Sequence, residues 1–121
     1  MYLVDSNILI YTSQPQFGYL RKIIAVDSIF CSKISKIEVL GFSKITKEEN
    51  TYFKSLFSKI SLINISDSII ERSILIKQNK RTTLGDAIIA STALEYDLVL
   101  MTNNTDDFKN IKGLQLYNPI K

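Results

Sequence analysis

Three carboxylates, Asp5, Glu38 and Asp86, occupy places from which a chain can turn acids to chemistry. Asp5 follows the apolar run Tyr2-Leu3-Val4 and precedes Ser6-Asn7, so it closes a strand where a turn into a helix begins. Glu38 lies three residues after Ser35 and Asp86 three after Thr83, the spacing of a capping box. Both also share a helical stripe with apolar or small residues: Glu38 with Gly41, Phe42 and Ile45, Asp86 with Ile89, Ala90 and Ala93. That pattern predicts inward-facing carboxylates, and an inward carboxylate needs a partner or a cation. A first-turn position helps each acid stay ionised, because the helix dipole favours negative charge there. Three such charges at one edge would repel and raise a pKa unless a divalent cation joined them. A further segment, Thr102 to Phe108, follows an apolar run directly, and its Asn104 or Asp107 could complete an oxygen-lined site. Singly, each acid is equally a cap or an Asx-turn residue; their recurrence at element ends is what points to a site.

Composition narrows the chemistry further. The 121 residues contain no His and one Cys, Cys31. Histidine triads, Cys–His nucleophiles and His or Cys zinc cages are thereby excluded, and a reducing compartment is compatible. The cheapest remaining route to an activated water is a hard cation held by carboxylates. A net charge of +3 permits a polyanionic partner without demanding one. Asp5 interrupts the short apolar start, so no secretory signal is expected, and no run approaches the roughly 20 apolar residues of a membrane span. The expectation is a soluble, cytoplasmic protein with no membrane association, one domain over residues 1–121.

The elements that must position the acids read as alternating strands and helices. Strands are expected at 2–5, 28–31, 61–65, 98–101 and 114–117. Helices are expected from 8 to 11, capped by Ser6 or Asn7, and at 18–25, 35–45, 47–59, 67–80 and 84–96, with a polar loop at 102–108. Such alternation implies an α/β fold, three layers α/β/α, with a central parallel sheet of about five strands. Sites in these sheets gather at the carboxyl ends of strands near the topological switch. Asp5 and Thr102 are both placed there.

The chain resembles the PIN domain family, and within it the VapC-like toxins. Tyr2-Leu3-Val4-Asp5-Ser6-Asn7 is similar to the family's opening strand. Glu38 stands in the helix after the second strand, where the family has its Glu. Gly85-Asp86-Ala87-Ile88-Ile89-Ala90-Ser91-Thr92-Ala93 looks like the family's most specific helix, Leu100 to Phe108 like its "TrN…DF" segment, and Gly113 to Pro119 like its ending. The resemblance implies a metal-dependent ribonuclease with Asp5, Glu38 and Asp86 as core acids, Asp5 and Asp86 holding Mg²⁺ or Mn²⁺. Asn104 and Asp107 compete for the fourth acidic place. Candidates for substrate contact are Ser6, Thr102, Lys36 and Arg81, the last two on the RNA backbone. The implied partners are RNA, a second copy of the chain and a cognate antitoxin; the helices expected at 8–25 and 36–59 have spare apolar and aromatic residues that could pair two copies.

Two other readings compete. A phospho-acceptor receiver domain would need an Asp closing the third strand, but that strand ends Asn64-Ile65, and no late strand is followed by a suitable Lys. A catalytically silent PIN-like interaction module is the second; retention of all three core acids argues against it.

Overall fold

The computed structural model describes residues 1–25 and 28–121. Its five strands are β1 (Tyr2–Val4), β2 (Ile29–Ser32), β3 (Ser61–Ile63), β4 (Val99–Met101) and β5 (Leu116–Tyr117). They form one all-parallel sheet in the order β3-β2-β1-β4-β5. The helices are α1 (Ser6–Tyr11), a 3₁₀ turn at Pro15–Phe17, α2 (Tyr19–Ile24), α3 (Lys33–Leu40), α4 (Lys47–Lys59), α5 (Asp67–Asn79), α6 (Leu84–Glu95) and α7 (Thr105–Phe108). The α/β class and the strand number agree with the sequence reading. No described helix is long and apolar enough to cross a membrane.

Side chains alternate across a strand, so neighbouring residues enter different layers. Val4, Cys31 and Met101 point into one core with Ile8, Leu9, Leu20, Val39, Phe53 and Phe57, under α1 to α4. Leu3 and Leu100 point into the other with Ile89, Ala90, Ala93 and Phe108, under α6 and α7. The sheet is thus covered on both faces, as parallel sheets require. Helix α6 is buried continuously from Ala87 to Ala93, which its unbroken run of apolar and small residues permits.

Local differences from expectation have identifiable causes. Helix α3 is capped by Ser32, whose side chain accepts the Ile34 N–H, and it ends at Leu40 before Gly41. Ser35 is therefore an interior helix residue rather than the first half of a capping box, and Phe42 and Ile45 lie beyond the helix. The buried stripe of α3 runs through Ser35 and Val39, one position round from the stripe expected through Glu38. Glu38, Gly41 and Phe42 are exposed. A hydroxyl small enough to be buried misled the hydropathy pattern. Asp5, not Ser6 or Asn7, caps α1. Residues 105–108, expected as loop, make one helical turn anchored by the buried Phe108.

Candidate active site

Strand order reverses at β1, which has β2 on one side and β4 on the other. The carboxyl ends of β1 and β4 therefore border the crevice where ligands of open α/β sheets bind. Tyr2, Leu3 and Val4 pair with Val99, Leu100 and Met101, and the Asp5 N–H donates to the Met101 carbonyl at 2.9 Å. That register brings Asp5 beside Thr102. The Thr102 hydroxyl donates to Asp5 Oδ2 at 2.7 Å, and the Ser6 N–H donates to Oδ1 at 2.8 Å. Thr102 in turn accepts the Asn104 N–H at 3.0 Å. Asp5 is only 4% exposed and held on both oxygens, so its orientation is fixed.

Glu38 arrives from α3. Ser6 Oγ lies 2.7 Å from Glu38 Oε1 and 3.0 Å from Ser35 Oγ. A hydroxyl has one proton, and an ionised carboxylate can only accept. Ser6 therefore donates to Glu38, and Ser35 donates to Ser6. Glu38, though exposed, is tied through Ser6 to the residue next to Asp5. Asp86 comes from the first turn of α6, half-buried, after the N-cap Thr83, whose hydroxyl accepts the Asp86 N–H at 3.1 Å. Of the two capping boxes expected, this one is present in its forward half.

The charges are coupled. Burial pushes the Asp5 carboxyl up to about 6; the Thr102 and Ser6 hydrogen bonds oppose this, and the charges of Asp86 and Glu38 add to it. Asp86 is raised as well, by burial first and then by Asp107 and Glu38, with Thr83 holding it down. Burial, with Asp5 adding, pushes the Cys31 thiol up to about 12 and leaves it inert. The ion pairs among the described residues are Arg72–Glu95 at 3.2 Å and Lys109–Asp106 at 3.3 Å. None of Asp5, Glu38, Asp86 or Asp107 takes part in them.

Asp107, on the exposed side of α7, acts on Asp86 through its charge. Asn104 is exposed; its backbone joins the site through Thr102, and its side chain makes no capping hydrogen bond to α7. Lys36 and Arg81 are exposed and contact none of the acids through an ion pair. Three residues in or beside this network were given no part in the site from sequence: Ser35 and Asn7, read only as helix caps, and Gly85, against which Glu38 packs; the Asn7 carboxamide is enclosed with no hydrogen-bond partner among the described residues. The signal for Gly85 was a poor helix former in the first turn of an otherwise good helix.

Among the described residues no three His, Cys, Asp or Glu side chains are grouped tightly enough to cage a metal ion by themselves. The donor set still fits one class of ion. Its ligands are all oxygen, they repel one another, and none is in an ion pair among the described residues. A small hard cation such as Mg²⁺ is held in this manner, through one or two carboxylates, retained waters and substrate phosphates rather than by a closed protein cage. A concavity of about 630 Å³, lined by residues including Arg21, Tyr52, Leu56 and Lys59, shares no residue with the acids.

The sequence and the fold both have counterparts among known proteins. The PIN domain family model matches residues 2–114. A protein named Ribonuclease VapC from Rickettsia bellii is 29% identical over 133 residues, spanning 98% of this chain and 97% of that one. Among solved structures, a toxin–antitoxin complex from Klebsiella pneumoniae contains a chain 32% identical, with a TM-score of 0.82 over 100% of this chain and 99% of that one. DNA-bound VapBC from Salmonella typhimurium shares the fold at 19% identity, with a TM-score of 0.84 over 96% of each chain.

Proposed function

The chain belongs to the PIN domain family, and on that premise we propose that it is a metal-dependent ribonuclease that hydrolyses RNA phosphodiester bonds, the toxin of a toxin–antitoxin pair. The observation that carries this reading is Asp5: a buried carboxyl at the switch of a parallel sheet, opposed by Asp86 and Glu38 and in no ion pair among the described residues. Relatives named as a ribonuclease and as part of a toxin–antitoxin complex support the assignment of substrate and partner.

In this mechanism Asp5 and Asp86 would hold Mg²⁺ or Mn²⁺. The bound cation would acidify an adjacent water and take up charge on the phosphate oxygens. The protein's own residues do the rest. Thr102 and the Ser6 N–H fix both oxygens of Asp5, so the carboxylate does not reorganise when RNA arrives. Ser6 directs Glu38, which accepts the proton of the attacking water. Asn104 and Asp107 position that water, and Asp107 adds a fourth charge. Lys36 and Arg81 meet the RNA backbone. In-line attack with departure of the 3′ oxygen, which takes its proton from solvent, leaves the 5′-phosphate and 3′-hydroxyl that the family resemblance implies.

The proposed partners are a second copy of the chain and an antitoxin protein. Phe53 and Phe57 of α4 are buried in the core and are not available for pairing. Ile37 and Phe42, flanking Glu38, and Ile70, Ile74 and Leu75 on α5 are exposed instead.

The test is cleavage of structured and unstructured RNA with Mg²⁺, Mn²⁺ or EDTA, by wild type, Asp5→Asn and Asp86→Asn. Cleavage that needs the cation and both acids is the expected result. Cutting by either variant at the wild-type rate would remove its metal-ligand role. No cutting by wild type under any condition would leave the silent interaction module.

A further inference from the structure

Glu38 is an exposed side chain with three rotatable bonds, yet its carboxylate is directed toward the crevice. One oxygen, Oε1, is held by Ser6 at 2.7 Å. The other, Oε2, rests against the backbone of Gly85 in the first turn of α6. An ideal Cβ built on Gly85 would overlap Oε2 and stand 3.1 Å from Cδ and 3.5 Å from Oε1. The carboxylate occupies the space that any other residue at position 85 would fill.

Nothing else in the structure calls for glycine there. Gly113 is the glycine with positive φ, so Gly85 has ordinary backbone geometry. It is not the cap of α6, which is Thr83. Within a helix glycine is disfavoured relative to alanine, and α6 otherwise runs through Ala87, Ile88, Ile89 and Ala90. A local penalty is retained at the one point where α6 meets a carboxylate from α3.

We propose that Gly85 is a positioning residue: the absence of its Cβ gives the Glu38 carboxylate its seat beside Asp86. A methyl group at position 85 would push the carboxylate off, and the displaced part is the far end of a flexible chain, so the fold would yield little. The substitution separates two properties. Gly85→Ala should help the helix and harm the site, and it should do both through a residue on a different element. The inference rests on the nuclease reading for its activity readout, though not for its structural one.

The experiment is a double-mutant cycle of Gly85→Ala with Glu38→Ala, read in RNA cleavage and in thermal melting. Gly85→Ala should lower kcat about 10- to 100-fold, the scale of losing a group that orients a ligand, with KM little changed. It should cause no further loss in the Glu38→Ala background, since residues acting through one group are not additive. Melting should show a larger gain from Gly85→Ala when Glu38 is already truncated. Wild-type turnover in Gly85→Ala, or an equal loss in both backgrounds, overturns the proposal. If Gly85→Ala fails to fold, the double variant should fold, because the clash is with Glu38; failure of both overturns it too. If wild type cleaves no RNA, the function proposed above fails by itself. The melting cycle then decides, and equal gains in both backgrounds would dispose of the seat for Glu38.

Discussion

Two buried polar clusters in this molecule are built on opposite principles. Between α5 and α6, Ser73 Oγ lies 2.7 Å from the Ile69 carbonyl, 3.0 Å from Ser91 Oγ and 3.3 Å from the Ala87 carbonyl. Both serines are buried and neutral, and each has a partner. At the carboxyl ends of β1 and β4, by contrast, buried or half-buried carboxyls face like charges and take part in no ion pair among the described residues. Beside them Asn7 keeps an enclosed carboxamide without a partner. A satisfied neutral cluster stabilises two helices against each other. A cluster of unrelieved repulsion lowers stability, and such clusters are where function gathers.

Substitutions should therefore act with opposite sign in the two places. The largest effect is expected from Asp5→Asn and Asp86→Asn, which should reduce RNA cleavage more than about 100-fold while the protein melts no lower than wild type. A joint loss of activity and stability would break the contrast. Next comes Thr102→Val, which removes the hydroxyl on Asp5 Oδ2. Activity should fall about 10- to 100-fold, as for lost outer partners of a ligand. The Asp5 carboxyl should titrate still higher, since that hydrogen bond holds it down.

The pH dependence has a definite sign. Asp5 titrates at about 6 in the folded chain, above its ordinary value of 3.8. The folded chain binds this proton more tightly than the unfolded one. Its contribution to stability is thus full below about pH 4 and is lost as the pH rises through 6; Asp86 acts in the same sense. Without divalent cations, Asp5→Asn should match wild type near pH 4 and exceed it at pH 7 to 8, by on the order of 2 kcal/mol. Melting curves across that range measure the gap. Adding Mg²⁺ or Mn²⁺ should close it by raising the wild type alone. Ser73→Ala should do the reverse: a loss of about 1 kcal/mol at all these pH values with cleavage unchanged. The smallest effects belong to Lys36→Ala and Arg81→Ala, each expected to weaken RNA binding slightly and to flatten its salt dependence.

The sequence disclosed Asp5 and Asp86 because their positions are local facts. An apolar strand ends in one, and a Thr cap precedes the other. The sheet was legible for the same reason: runs such as Leu98 to Met101 have no polar face to offer. Glu38 was found as a residue, while its setting was not. Ser35 reads as polar in a pattern, yet it is buried against Ser6, and that contact spans 29 positions. The seat at Gly85 was invisible because it depends on how α3 crosses α6. Helix α7 was missed because a single turn has too few residues for a period to show, and its one apolar anchor, Phe108, comes last.

The placement of β1 has a consequence for synthesis. Strand β1 lies at the centre of the sheet, and it waits for β4 to follow before the Asp5 N–H finds the Met101 carbonyl. Asp86 and Thr102 also leave the ribosome late. A nascent chain carries Asp5 with no crevice to put it in until Asp86 and Thr102 have followed, so the proposed activity can begin only when β4 has emerged and closed onto β1.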